Sequence, residues 1–372
     1  MKHILLSLSI FLLTSCSAQS TKIIVENPLD FDRNGEIVEV SFAGSTVDFA
    51  HKTYVLKDGK GVETGYQLLS DHQTLVFQAD VPANASVTYT LQEGAPAPVA
   101  ARAHVRFVPE RSDDISWEND IAAYRMYGPA LMKIQNPSNG VDIWMKYRDE
   151  PVMDDLYAGE IERKISYHED QGLGGLDCYD VNHTLGAGGV APYSTRLWIG
   201  DAFDRYEIVE SGPLRSVFTL YYDKSIPVEG GYFSETFTIT SDAGSPLNKG
   251  AVKFEGAIPI QVATGIFMHS DSVNTVFDKE HRIISYTKNA FSNKGVPQGQ
   301  TYIGVYAPGM TGEPFVEDGQ YAVVNDYQTG DELTYYFGGG WSKWKFPTEE
   351  DWLTALVRFS EAKRTPLKVV VE

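Results

Sequence analysis

Cysteine is nearly absent from this chain: only Cys16 and Cys178 occur among 372 residues. With Cys16 assigned to an export signal, as argued below, no intramolecular disulfide can staple the fold, and stability must come from burial. Cys178 reads as a small buried residue rather than a nucleophile. Positive charge is scarce too, 31 Lys and Arg against 50 Asp and Glu, which leaves a net charge of -19. Such a surface repels nucleic acid, and no basic stripe overturns this, so no nucleic-acid partner is expected. An anionic ligand can still bind, in a pocket that gathers its own Arg and Lys. The apolar run Ile4 to Leu13 is too short for a membrane span, which needs about 20 residues. No internal repeat, low-complexity tract or phosphate-loop pattern is present.

What is present begins with a targeting signal. Lys2 and His3 precede the apolar run, which ends in Leu13-Thr14-Ser15-Cys16, the order that lipoprotein processing reads. Residues 1–18 are therefore expected to be a signal with Cys16 as the lipid anchor. A membrane partner follows, since each buried acyl methylene contributes about 0.8 kcal/mol. The alternative is an ordinary secretory cut after Ala18, which would discard Cys16. Either way the protein is expected to be exported, and in the first case held at the periplasmic or outer surface of a membrane.

The mature chain reads as all-β. Short alternating segments over residues 19–98, such as Glu36 to Phe42 and Ser86 to Leu91, are separated by turn clusters at the spacing of a small immunoglobulin-like sandwich. Glu93 to Pro98 reads as a linker stiffened by proline. Residues 99–372 then carry a long series of strands. Tyr232 to Thr240 is the clearest, with Phe233, Phe237 and Ile239 alternating with polar residues. So many strands imply a large two-layer sandwich rather than a small barrel. One helix is predicted near the end, capped by Thr348 and Asp351, with Trp352, Leu356 and Phe359 on one face. Pro366 stops it, and Leu367 to Val371 closes the chain as a strand.

Polar residues that are costly to bury crowd into residues 109–200. A strand over 121–127 places Ala123, Arg125 and Tyr127 on one face, which suits a polar cleft; pairing of Arg125 with Glu118 or Asp120 is the plainer reading. In the next strand Asp142, Trp144 and Lys146 share a face, either a sugar-stacking platform with charged arms or a solvated surface. The stretch Tyr167-His168-Glu169-Asp170 through Gly174-Gly175-Leu176-Asp177-Cys178-Tyr179 joins glycine-rich backbone to His, Asp and Tyr, as a loop shaped around a ligand does. No cofactor is required; a divalent metal on His168 and Asp170 with Asp177 or His183 is the alternative use of that loop, although the spacing matches no standard motif. His269 ends an apolar run at a strand end. Gly338-Gly339-Gly340-Trp341-Ser342-Lys343 reads as a flexible loop at the edge of a carbohydrate cleft.

The run Pro109-Glu110-Arg111, Trp117-Glu118-Asn119-Asp120, Arg125 to Pro129, Tyr167-His168, Gly175-Leu176-Asp177, Tyr179 and Thr184-Leu185-Gly186 resembles a family of secreted bacterial proteins catalogued as a domain of unknown function. Gly212 to Arg215 and Ser245 to Asn248 extend the resemblance over most of residues 100–372. Members accompany polysaccharide lyases and sulfatases, and one is an ulvan oligosaccharide dehydratase. The resemblance implies a β-supersandwich of the mutarotase and polysaccharide-lyase type. It also implies a carbon–oxygen lyase that removes water from a non-reducing-end uronic acid, leaving a 4,5-unsaturated end on an anionic oligosaccharide. On that reading His168 and Tyr179 form the acid–base pair, in either order, Asp177 orients one of them, and His269 is an alternative partner. Arg125, with Asn119 or Lys146, would neutralise the uronate carboxylate, and Tyr127, Trp144, Trp341 and Lys343 would complete the substrate site. A lyase of the same fold, a hydrolase using Glu118 and Asp177 as paired carboxylates, and a non-catalytic glycan-binding lipoprotein are the alternatives.

Overall fold

In the computed structural model, residues 20–229 and 231–372 are described. The signal and the Cys16 anchor lie outside them. Among the described residues no helix is long and apolar enough to cross a membrane.

The chain begins as a small sandwich. One sheet has five strands in the order Lys368–Val371, Ser20–Asn27, Ala85–Glu93, Tyr54–Lys57 and Glu63–Thr64. The other sheet has three, Arg33–Ser41, Thr74–Val81 and Tyr66–Leu68. Inward residues of both, including Ile23, Val25, Val40, Leu75, Phe77 and Leu91, form its core. The expected division at residue 98 needs one amendment, because the last strand returns to the first unit and pairs antiparallel with Ser20–Asn27. Leu367 and Val369 pack on the small core there, while Val370 and Val371 stay exposed. The segment after Glu93 is no loose tether either. Val99 joins Val76, Leu214 and Ala243 in an apolar cluster that fastens the two units together.

The large unit is a sandwich of antiparallel sheets. An eight-stranded sheet runs from Arg205–Ser211 through Arg215–Val228 and Gly231–Asp242 to an edge at Ser272–Asp278. Against it pack a five-stranded sheet, ordered Gly175–Asp177, Asp142–Lys146, Ala122–Met126, Asp114–Glu118 and His104–Val108, and a four-stranded one. Period-two alternation brings Phe233, Phe237 and Ile239 to the shared core with Trp117, Ile143, Met145 and Tyr335. The predicted helix is present as a long element, Glu349–Arg364, with the Thr348–Asp351 capping box formed at both ends of the reciprocal pair. Its Trp352 indole donates to Ser285 Oγ at 3.0 Å.

The glycine-rich segment expected to be a flexible loop is instead the end of a central strand, Leu333–Trp341. Its glycines serve packing. A Cβ at Gly339 would lie 2.5 Å from the Tyr302 carbonyl oxygen and 2.6 Å from Ile143, and one at Gly340 would lie 2.3 Å from the Phe346 ring. Sequence cannot distinguish such close-approach glycines from flexible ones, because both look alike without their neighbours.

Candidate functional site

The five-stranded sheet places two kinds of side chain on its two faces. Arg125 stands opposite Asp142 and Ala123 opposite Trp144, and Trp144 in turn stands opposite Asp177. Alternation therefore sends Arg125, Asp142, Trp144, Lys146 and Asp177 to one face and Tyr124, Ile143, Met145 and Leu176 to the main core. The charged face is roofed. Helix α1 (Met153–Ala158), the π-helical turn Gly159–Arg163 and Tyr167 lie over it, and Met153, Leu156, Tyr157 and Tyr167 cluster with Trp144.

Under that roof Lys146 is fully buried, and its Nζ donates to Glu118 Oε2 and to the Asn119 carbonyl, both at 2.8 Å. Glu118 also accepts the Val152 and Met153 amides at 2.8 and 2.9 Å, answering the unpaired donors at the start of α1. Asn119 accepts from Ile121 and donates to the carbonyls of Asp242 and Ser245. These three residues are committed to holding the fold, so Lys146 and Asn119 have no free group for a substrate. Glu118 is likewise unavailable as one of two paired catalytic carboxylates.

Beside this lies a second buried charge group. Arg125 donates to Asp142 Oδ2 from Nε at 2.9 Å and from Nη2 at 2.5 Å. Asp114 and Asp177 stand at 3.8 and 3.7 Å, and Tyr127 and Trp144 place ring centroids at 5.1 and 5.0 Å from the guanidinium. Neither Glu118 nor Asp120, the partners expected for Arg125, is the one it takes. With three carboxylates about one cation, burial pushes the Asp114 carboxyl up to about 6. Burial and the neighbouring Asp142 raise Asp177 well above the usual carboxylate range. Arg125 Nη1, Asp142 Oδ1, Asp114 Oδ2 and the Tyr157 hydroxyl are buried without hydrogen-bond partners.

The segment from Asp177 to Asp180 gathers three further basic side chains, of which His168 stays partly exposed. Three of its backbone carbonyls each meet a basic side chain: Asp177 with His168 Nδ1 at 3.3 Å, Cys178 with Lys288 Nζ at 3.4 Å, and Asp180 with His269 Nε2 at 2.7 Å. His168 Nδ1 also lies 3.5 Å from the Asp177 carboxylate, and its side chain is 29% exposed. A carbonyl cannot donate, so the contacted nitrogen carries the proton in each neutral ring. In His168 this leaves Nε2 as the basic nitrogen. In His269 the basic Nδ1 is buried and unpartnered. Burial and the Lys288 ammonium push His269 below the ordinary histidine value. Lys288 is itself buried, 3.3 Å from Asp271 and 5.7 Å from the centre of the Tyr179 ring.

Tyr179 does not fit its expected place in the acid–base pair. Its hydroxyl lies 3.0 and 2.8 Å from the carbonyls of Gly186 and Phe267, and burial drives its pKa well up. The structure does set the ring edge-on to His269, with centroids 4.5 Å apart. Trp144, expected as a stacking platform, and Trp341, expected at the edge of a cleft, are both buried; their indoles donate to Asp142 and to the Gln298 carbonyl. Lys343 is exposed above Trp341 and donates to Gln298 Oε1 at 2.5 Å. Tyr127 is partly buried beside Arg125. The thiol of Cys178 is pushed up to about 12 by loss of solvent and by Asp177. Of the loop residues considered for a metal, His168 and Asp177 meet, Asp170 bonds Tyr147, and His183 lines a separate pocket. No group of three metal-ligating side chains occurs among the described residues.

Lys288 and Asp271 escaped sequence reasoning. The usable signal was local: in the strand Ile283–Phe291, Lys288 continues the face of Ile284 and Tyr286, where a third apolar residue belongs.

Comparison with known proteins places these features in context. The solved α-mannosidase of Enterococcus faecalis superposes on 95% of this chain with a TM-score of 0.52 at 10% identity, a likeness of fold. The match takes in 46% of the mannosidase, so this chain spans less than half the length of that protein. Uncharacterized protein P7 of Formosa agariphila is 27% identical over 414 aligned positions, with both chains covered in full. A family profile described as a domain of unknown function, DUF4861, matches residues 25–369, and the chain belongs to that family.

Proposed function

We propose that the protein is a carbohydrate dehydratase, a carbon–oxygen lyase that removes water from the non-reducing-end uronic acid of an ulvan-type oligosaccharide. The observation that carries this reading is His168, whose Nδ1 faces the carbonyl and carboxylate of Asp177 while the ring remains partly exposed. A uronate C5 proton is weakly acidic because the adjoining carboxylate is negative. A cation beside that carboxylate stabilises the enolate-like state, and Lys288, which contacts the Cys178 carbonyl next to the His168–Asp177 pair, takes the role first given to Arg125. His168 Nε2 accepts the C5 proton, the C4–O bond breaks as the C4=C5 bond forms, and the resulting imidazolium returns its proton to the departing hydroxyl. Water leaves and the ring is restored. One histidine then serves both steps, consistent with a Tyr179 hydroxyl held by backbone carbonyls.

The test is to incubate purified protein with saturated, uronate-ended sulfated oligosaccharides and follow the ultraviolet absorbance of a conjugated uronate. Products that are lighter by one water, with chain length preserved, support the dehydratase. Shortened chains would make it a lyase acting on the glycosidic bond, and bound but unaltered oligosaccharide would make it a binding protein.

A further inference from the structure

A cleft of 460 Å³ lies where the small sandwich, the large unit and the C-terminal helix meet, and it shares no lining residue with the His168 site. Its size falls in the range of small-molecule sites, about 300–1,000 Å³. Six basic and four acidic side chains line it, a local cationic excess in a chain whose net charge is -19. Two of the arginines are spent. Arg33 is held by Glu36 and by the Thr365 carbonyl, and Arg215 is held by Asp242 and Glu39.

Three donors are not spent. Arg102 gives its terminal nitrogens to Gln78 and Asp120, but its Nε is buried without a partner. Arg358 and Lys363 of the C-terminal helix line the same cleft and make no ion pair among the described residues. Arg358 lies over the Phe31 ring at 5.5 Å, and Lys363 over Phe359 at 5.0 Å and Tyr336 at 5.7 Å. Phe31, Ile37, Ile121 and Phe346 give the cleft apolar walls between these donors.

We propose that this cleft binds a small sugar acid or sulfated sugar, its anionic group held by Arg358 and Lys363 of the C-terminal helix with the free Nε of Arg102 as a further donor. Donors contributed by separate segments of the chain favour a compact anion over a long-chain amphiphile, whose charge would sit at one end. Apolar walls accept the hydrogen-bearing faces of a sugar ring. Because both units contribute, occupancy would also tie the small sandwich to the large one.

The test is calorimetric titration of the full chain with glucuronate, a glucose sulfate ester, glucose and octanoate. The two anionic sugars should bind saturably and more weakly as salt is raised, and glucose should not bind. Arg358→Ala and Lys363→Gln should each weaken binding by about tenfold, since each removes one charge-assisted contact. Both residues are exposed on the helix, and unchanged thermal melting would establish that the variants fold. His168→Ala should bind the anions as the parent does, so failure of the proposed reaction leaves this result unaffected. Absence of saturable anion binding, equal binding of glucose, or binding unaltered in both variants would overturn the proposal. Uptake of octanoate in place of the sugars would overturn the ligand class.

Discussion

Lys146 lies in a strand of the five-stranded sheet and His168 in a turn beside its edge strand, and the fold treats these two basic side chains in opposite ways. Lys146 lies beneath α1, answered by Glu118 and a backbone carbonyl, with no solvent contact. His168 lies past the roof, oriented from one side by Asp177 and partly open on the other. A buried charge must be answered by its own neighbours or it destabilises the fold, whereas a half-exposed one can keep a nitrogen for a ligand. Polar crowding in a sequence therefore marks two things at once, an ionic layer that holds a roof in place and the few groups that escape it.

The sharpest way to break this contrast is His168→Ala. Its catalytic effect should be a loss of about 10²–10⁴-fold in dehydration rate, with folding stability changed by less than about 1 kcal/mol. Denaturant melts beside the rate assay decide it, and a large loss of stability would place His168 with Lys146. Arg125→Met tests the closed side. It strands Asp142, Asp114 and Asp177 without their cation and should lower stability by about 3–5 kcal/mol in the same melts.

Glu235 sharpens the comparison from a third position, a buried carboxylate with no cationic partner among the described residues. Its Oε2 accepts from Asn139 at 3.2 Å, its Oε1 has no partner, and burial pushes its pKa up to about 8 from 4.5. Across that window the folded chain keeps a proton that the unfolded chain releases. Stability is therefore full below the lower value and falls as pH rises through the upper one. Asp114 adds a fall between 3.8 and about 6. Glu235→Gln should flatten the upper part of the slope, by on the order of a few kcal/mol at pH 8, as read from melts across the pH range. The smallest effect belongs to Lys343→Ala. This side chain is exposed and bonded to one glutamine, so stability should move by less than about 0.5 kcal/mol. A larger change would mean that it braces the strand end at Trp341.

Much of the fold was legible because local patterns coincide with burial. The alternation at Phe233, Phe237 and Ile239 and the Thr348–Asp351 cap were readable from residue order, and both occur as expected. The candidate site was legible only in part. The glycine-rich loop did bring His168 to Asp177. The partner of Arg125, the burial of Trp144 and Trp341, and the commitment of the Tyr179 hydroxyl depended on strands and turns distant in sequence. Lys288 is separated from Cys178 by 110 residues, and nothing near either one announces the other.

The sequence by itself determined that this is an all-β chain with little cationic surface and a helix at its end. Those properties follow from residue spacing and charge, which act over a few positions. Only the tertiary structure decided which face of the five-stranded sheet would be roofed, and so which charges are spent and which remain. The order of strands across a sheet is set by burial over the whole chain, and no local spacing encodes it. The return of the final strand to the first is the plainest case: Val369 meets Val25 across the full length of the protein because each covers the same small core.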